Sequence, residues 1–250
     1  MFLNKLKYSK IKIENKIISM KIHRFLITEK ITEGEMVVQN KELIHQLQNV
    51  LKLKTGELII IFNNQGEFQG IIKDLTKKSL KLSAVAKNQR VYKLKNQAIL
   101  YCAILKKENF EMIVQKATEV GVKKIVPLVT GHTVKLNLNL SRLRKIAQEA
   151  AEQSGRLDVP EISPILSLKE SLDYIQEGEL AWCLDTTSQI EVIAPVEDKM
   201  IHLFIGPEGG WTDEERVLFT KHHFSFLSLG PLVLRGETAA IIASYLACNG

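Results

Sequence analysis

The sequence predicts an α/β protein in two parts: a small β-barrel over residues 20–90 and a larger strand–helix domain over 91–250. Three observations carry that prediction. Short apolar runs of period two, separated by polar turns, fill the first part. After Arg90 the pattern changes to apolar strands alternating with amphipathic helices, the signature of a largely parallel sheet. Charge divides at the same place: residues 1–90 hold 17 Lys and Arg against 8 Asp and Glu, whereas residues 91–250 hold 17 against 20. A basic amino-terminal module on an acidic remainder suits a polyanion partner, the bland alternative being a lysine-rich solvated surface.

Taken in order, residues 1–19 read as a disordered extension or a misplaced start, and an orderly segment opens at Met20. Lys41 to Leu53 has room for one helix. Leu58 to Phe62 is a buried-strand run, Asn63-Asn64-Gln65-Gly66 a turn, and Phe68 to Ile72 the returning strand. Leu80, Leu82 and Ala84 alternate with Lys81, Ser83 and Val85 as a half-buried strand.

In the second part, Ala98 to Leu105 is an apolar strand. The helix 107–120 puts Phe110, Ile113, Val114, Ala117 and Val120 on one face and ends at Gly121. Ile125 to Val129 is a strand, and Ser141 is placed to cap a helix that Gly155 closes. Ser167 with Glu170, and Thr212 with Glu215, have capping-box spacing. Leu180–Leu184, Ile201–Ile205 and Phe226–Leu229 are strands, and Glu237–Ala247 is the last helix.

Composition excludes several classes. The 250 residues are 45% hydrophobic and 25% charged, enough for a sizeable core and unlike a disordered or collagen-like chain. No apolar run is long enough to span a membrane, and the first residues lack a secretory h-region. Cys102, Cys183 and Cys248 are odd in number and far apart. They make neither a disulfide framework nor a C-x-x-C metal site, which points to a reducing cytoplasm. His222-His223 lacks a third ligand at metal spacing, so no metal is expected.

In open α/β sheets, ligands bind beyond the carboxyl ends of strands. Two strand exits are unusual. Ile205-Gly206-Pro207-Glu208-Gly209-Gly210 is side-chain-poor, which lets backbone approach a ligand closely. It is neither a dinucleotide fingerprint nor a Walker loop, and Asp213, Glu214 and Glu215 in the next helical turn leave a poor seat for phosphate. A ligand without phosphate, and a cationic one, suits it better. The second exit runs Leu229-Gly230-Pro231-Leu232-Val233-Leu234-Arg235-Gly236-Glu237-Thr238, clustering Arg235, Glu237 and Thr238 at a helix start. Simple capping of that helix is the plainer alternative.

These two loops resemble the paired loops of the SPOUT methyltransferases that make N3-methyluridine in 16S ribosomal RNA, the RsmE family. The resemblance extends to His23-Arg24-Phe25, to Gln115-Lys116-x-x-Glu119-x-Gly121, and to Glu152-Gln153-Ser154-Gly155-Arg156 followed by Pro160-Glu161-Ile162. It covers about residues 20–250. Leu232 stands where the family often has a basic residue, and Gly236 where it often has Thr.

The resemblance implies a PUA-like RNA-binding barrel at 20–90, then a SPOUT domain at 91–250 whose carboxyl-terminal segment forms a deep trefoil knot. It also implies S-adenosyl-L-methionine as cofactor, 16S rRNA within the small subunit as substrate, and a homodimer. The cofactor site maps to Leu184, Ile205, Gly206, Pro207, Glu208, Gly209, Gly210, Leu229, Gly230, Leu234, Arg235 and Thr238. His23, Arg24, Lys116, Glu119 and Arg156 map to RNA, and Arg235 and Glu237 to catalysis. Uracil N3 is a poor nucleophile until its proton leaves, so alignment and stabilisation of the developing imidate are what the enzyme must supply. Arg235 suits that stabilisation, and Glu237 suits proton handling or the positioning of Arg235. An RNA-binding assembly protein that keeps the fold without activity is the competing reading. An intact Arg235, Glu237 and Thr238 speaks against it.

Overall fold

The computed structural model describes residues 8–13, 16–31, 34–63, 66–88, 93–133, 137–188, 190 and 197–250. Asn64 and Gln65, at the tip of the expected turn, lie outside them, as do residues 1–7 of the expected extension. The chain divides into two compact units, one of residues 1–92 with 152–158, the other of 93–151 with 159–250.

In the first unit, β1 (Tyr8–Ile13) and β2 (Lys16–Lys21) pair as an antiparallel ribbon. Then come β3 (Arg24–Leu26), β4 (Gly34–Val38), α1 (Lys41–His45), β5 (Leu58–Asn63), β6 (Gly66–Leu75) and β7 (Leu80–Asn88). Asn40 caps α1 by accepting from the Glu42 and Leu43 amides, and the helix widens into a π-turn over Gln46–Val50. The last five strands form one sheet in the order β3-β5-β6-β7-β4, antiparallel except for the β3–β5 pair. Its core is aliphatic, with Ile59, Ile61, Ile72, Leu80 and Leu82 fully buried against Phe25 and Leu47. Burial of that face, rather than ladder hydrogen bonds alone, holds the register.

The second unit is a parallel sheet with helices on both faces. Its strands are β8 (Gln97–Ala103), β9 (Lys124–Val129), β10 (Glu161–Ile162), β11 (Leu166–Ser167), β12 (Leu180–Leu184), β13 (Met200–Ile205) and β14 (Ser225–Leu227). Their order is β10-β9-β8-β13-β12-β14, with β11 also paired to β9. The helices are α2 (Lys107–Val120), α3 (Leu140–Ser154), α4 (Leu168–Leu172), α5 (Asp213–Lys221) and α6 (Gly236–Asn249). Phe110, Ile113 and Val114 of α2 and Ala240, Ala243 and Ala247 of α6 pack in one core with Leu100, Leu203 and Ile205. On the opposite face Phe204 stacks on Tyr101 at 4.3 Å and meets Phe219 and Phe224 edge-on.

Local signals behave as their chemistry requires. Gly121 ends α2 in the left-handed region at φ 114°, and both capping boxes form. One cap differs from expectation. Asn139, not Ser141, opens α3: its Oδ1 accepts from the Arg142 amide and its carbonyl from the Leu143 amide. Asn and Ser are comparable caps, so the choice falls to packing, with Leu143 and Ala147 on the buried face.

Candidate functional site

Three neighbouring strands end in line. Leu184 of β12 lies in register with Ile205 of β13 on one side and Leu227 of β14 on the other. Their exit loops therefore emerge together at the carboxyl edge of the sheet and enclose a cavity of about 290 Å³.

The wall of this cavity is mostly backbone and apolar carbon. Of the residues mapped to the cofactor from sequence, all but Arg235 and Thr238 line it. Two of the glycines are closely packed, since a Cβ on Gly206 would meet the Trp211 ring at 3.1 Å and one on Gly209 would meet His132 Cβ at 3.1 Å, so that the neighbour would have to give way. Trp211 is buried and donates from Nε1 to the Leu184 carbonyl at 2.9 Å, tying the β12 exit to the glycine loop. His132 Nδ1 donates to the Gly210 carbonyl at 3.1 Å, so the β9 exit grips the loop from outside. Glu215, buried at the start of α5, adds a third tie: Oε2 accepts from the Thr212 amide and Oε1 from the Gly131 amide, both at 2.8 Å. The cradle is rigid because each loop holds another.

Arg235 is the amino-terminal cap residue of α6, exposed, and its guanidinium makes no hydrogen bond among the described residues. Glu237 in the first turn is 7% exposed and accepts from Asn109 Nδ2 at 3.4 Å. No hydrogen bond or ion pair joins it to Arg235 among the described residues. Thr238 is half-buried beside it.

The residues mapped to RNA separate into two kinds. Arg24 is turned inward: its Nε donates to Glu67 Oε2 at 2.6 Å, its Nη groups to the Glu152 and Arg156 carbonyls, and it lies 4.1 Å over the Phe62 ring. Arg156, 5% exposed, pairs with Asp158. Freeing Arg24 would deprive the buried Glu67 carboxylate of this partner, at several kcal/mol by order of magnitude (~3–5), whereas Asp158, the partner of Arg156, is 52% exposed. The structure thus places Arg24 and Arg156 in bonds within the protein. His23, half-buried and stacked on Phe25, and the Lys116–Glu119 pair on α2 are accessible.

Sequence reasoning missed Asp185, Thr186, Ser228 and Arg216 on the cavity wall. Asp185 and Arg216 form an ion pair at 2.8 Å although 31 residues apart. Burial works against the Asp185 charge, but hydrogen bonds from Arg216 and Thr187 outweigh it and hold the carboxyl below its ordinary value. No local pattern could announce that pair. His222 and His223 are exposed, as expected of a surface pair, and no group of three metal-ligating side chains occurs among the described residues. No helix of the described residues is long and apolar enough to cross a membrane.

Comparison with known proteins fits this geometry. A family model described as an RNA methyltransferase domain matches residues 92–247, and one described as an RNA methyltransferase PUA domain matches residues 40–85. Ribosomal RNA small subunit methyltransferase E of Rickettsia conorii is 30% identical over 90% of this chain and 94% of its own. The protein of that name from Bacillus subtilis is 27% identical over 87% and 91%. Among solved structures, a ribosomal RNA small subunit methyltransferase E from Neisseria gonorrhoeae bound to S-adenosyl methionine superposes with TM-score 0.82, at 25% identity over 89% of this chain and 95% of that one. A methyltransferase of Legionella pneumophila in complex with SAM superposes with TM-score 0.80, at 29% identity over 90% and 96%.

Proposed function

The chain belongs to the RNA methyltransferase family of the ribosomal RNA small subunit methyltransferases E, and on that premise we propose that it methylates uridine N3 of 16S rRNA with S-adenosylmethionine. The observation that carries the reading is the shared cavity formed where β12, β13 and β14 end in register, its wall rich in glycine backbone. The fit is chemical as well as spatial. A phosphate-free cofactor needs no basic cradle, and main-chain groups of 205–210 and 229–234 can read an adenosine while Leu184, Leu229 and Leu234 cover its apolar faces. When bound, S-adenosylmethionine supplies an already activated methyl group.

What remains for the protein is the acceptor. Uracil N3 carries a proton, and removing it spreads negative charge over the flanking carbonyl oxygens. Arg235, unpaired among the described residues and next to the cofactor loop, can stabilise that charge with a planar, permanently protonated donor. Glu237, buried in the first turn of α6, is the carboxylate to which this reading assigns the proton. The base must leave any stack to present N3, which favours an exposed nucleotide of the rRNA.

The reading extends to partners. The basic first unit, with His23, and the accessible Lys116 of the second are assigned to RNA. A homodimer would give cover to apolar side chains that the single chain exposes, Leu232 and Val233 on the second loop, 76% and 83% exposed, and Ile242 and Tyr245 on α6. A cytoplasmic location follows from the ribosomal substrate. The trefoil knot belongs to the same reading, with residues 228–235 as the loop that precedes the threaded helix α6.

The test pairs calorimetry against S-adenosylmethionine with mass-spectrometric mapping of methylated small ribosomal subunits. Binding together with one new N3-methyluridine is expected. Binding without transfer would establish the idle RNA-binding alternative.

A further inference from the structure

Asp185 and Arg216 form the charged end of the cavity. Asp185 follows β12 directly; its Oδ1 accepts from the amide and hydroxyl of Thr187, both at 2.8 Å, and its Oδ2 from Arg216 Nε at 2.8 Å. The Asp185 side chain is 3% exposed and that of Arg216 33%. Arg216 Nη1 donates to Asp213 Oδ1 at 3.3 Å, but Asp213 is 97% exposed, so water competes for that contact. Arg216 Nη2 has no partner among the described residues, and Asp185 Oδ2 carries one hydrogen bond where a carboxylate oxygen can take two. The other charged residue on the described wall is Glu208, which is exposed on the glycine loop.

A half-satisfied ion pair at the wall of a cavity is a poor stabiliser, because desolvation offsets much of the attraction. It is a good receptor for a ligand that carries both charges. S-adenosylmethionine has such an end: its adenosine is neutral, whereas its amino-acid end bears an ammonium and a carboxylate close together. Resting on the cofactor reading above, we propose that the Asp185–Arg216 pair binds the amino-acid end of the cofactor. Asp185 Oδ2 accepts from the α-ammonium, and Arg216 Nη2 donates to the α-carboxylate while Nη1 keeps or yields its solvent-exposed Asp213 contact. Asp185, ionised well below neutral pH through its bonds from Arg216 and Thr187, is ready for that role without a change of state. The pair thereby selects ligands with an intact amino-acid end over bare nucleoside thioethers.

Calorimetry on the full chain tests this with three ligands. S-adenosylhomocysteine carries the whole amino-acid end, its decarboxylated analogue keeps only the amine, and 5′-methylthioadenosine has neither charge. Wild-type protein is expected to bind S-adenosylhomocysteine at least about tenfold tighter than either of the others, the scale of a hydrogen bond to a charged group. In the double variant Asp185→Asn, Arg216→Met, that margin is expected to shrink to about twofold while methylthioadenosine binds as before. Equal affinity of the wild type for S-adenosylhomocysteine and methylthioadenosine overturns the assignment whatever the variant does. So does a margin that survives in the variant. Equal binding of the decarboxylated analogue removes Arg216 from the carboxylate. A wild type that binds none of the three overturns the cofactor reading, and this assignment with it.

Discussion

Arg235 and Arg24 are both arginines beside a family-like motif, and the structure gives them opposite environments. Arg235 is exposed with no hydrogen bond among the described residues, whereas Arg24 is enclosed by Glu67, two carbonyls and the Phe62 ring. On the proposed reading, replacing Arg235 with Ala removes a group that acts mainly in the transition state. Single-turnover methylation should fall roughly a hundredfold or more, with S-adenosylmethionine affinity nearly unchanged. If turnover is unaffected, Arg235 has no catalytic part; a loss confined to RNA affinity moves it to phosphate binding. Gly209 carries the complementary prediction. Val there would force its branched carbons against His132, whose Cβ lies 3.1 Å from the added Cβ. The loop must then shift, and calorimetry should show cofactor binding lost while circular dichroism keeps the native signature. Normal binding would separate the loop from the cofactor. The glycines were readable as a loop that backbone must line; that Arg24 faces Glu67, 43 residues on, was not.

At the scale of elements, the legible features were those set within four residues. The capping boxes of α4 and α5 and the glycine end of α2 follow from local hydrogen-bond chemistry alone. In α5 the cap does more than start a helix, since Glu215 also holds the Gly131 amide and so joins the β9 exit to the glycine loop. Thr212→Ala removes the hydroxyl that accepts from the Glu215 amide, and should cost about 1 kcal/mol in denaturant-unfolding stability. It should also weaken cofactor binding, because the loop above loses part of its support; a stability loss with unchanged binding would show that the β9 tie is independent of the cradle. The start of α3 was less legible, because Asn139 and Ser141 are both able caps and only packing of Leu143 chooses between them.

Two predictions belong to the whole molecule. The charge asymmetry makes RNA binding a matter of counter-ion release. The affinity of the full chain for small-subunit rRNA should therefore fall steeply and log-linearly with salt. A salt-independent affinity would count against the basic first unit as the RNA module. The second concerns His202, 1% exposed in the core of the second unit, which donates from Nε2 to Glu179 at 2.7 Å and accepts the Tyr101 hydroxyl at Nδ1. Burial lowers its pKa below the ordinary 6.5, against the pull of Glu179, so the folded state holds it neutral. The unfolded chain takes up that proton first as pH falls through 6.5, and stability should decline from there toward the lower folded value. Thermal unfolding between pH 8 and pH 5 reads the slope, and His202→Gln should flatten it. An equal slope in that variant would assign the acid sensitivity to other groups.

Periodicity, caps and glycine punctuation depend on neighbours within one turn or one pleat, so the sequence by itself determined the two-part organisation, the α/β class of the second part and the two loops that line the cavity. Tertiary structure decided the rest. It aligned Leu184, Ile205 and Leu227 so that three exits share one cavity, enclosed Arg24 among internal partners, and brought Arg216 to Asp185. Those outcomes depend on which strands lie side by side, a choice made by burial of the whole sheet and invisible in any window of a few residues.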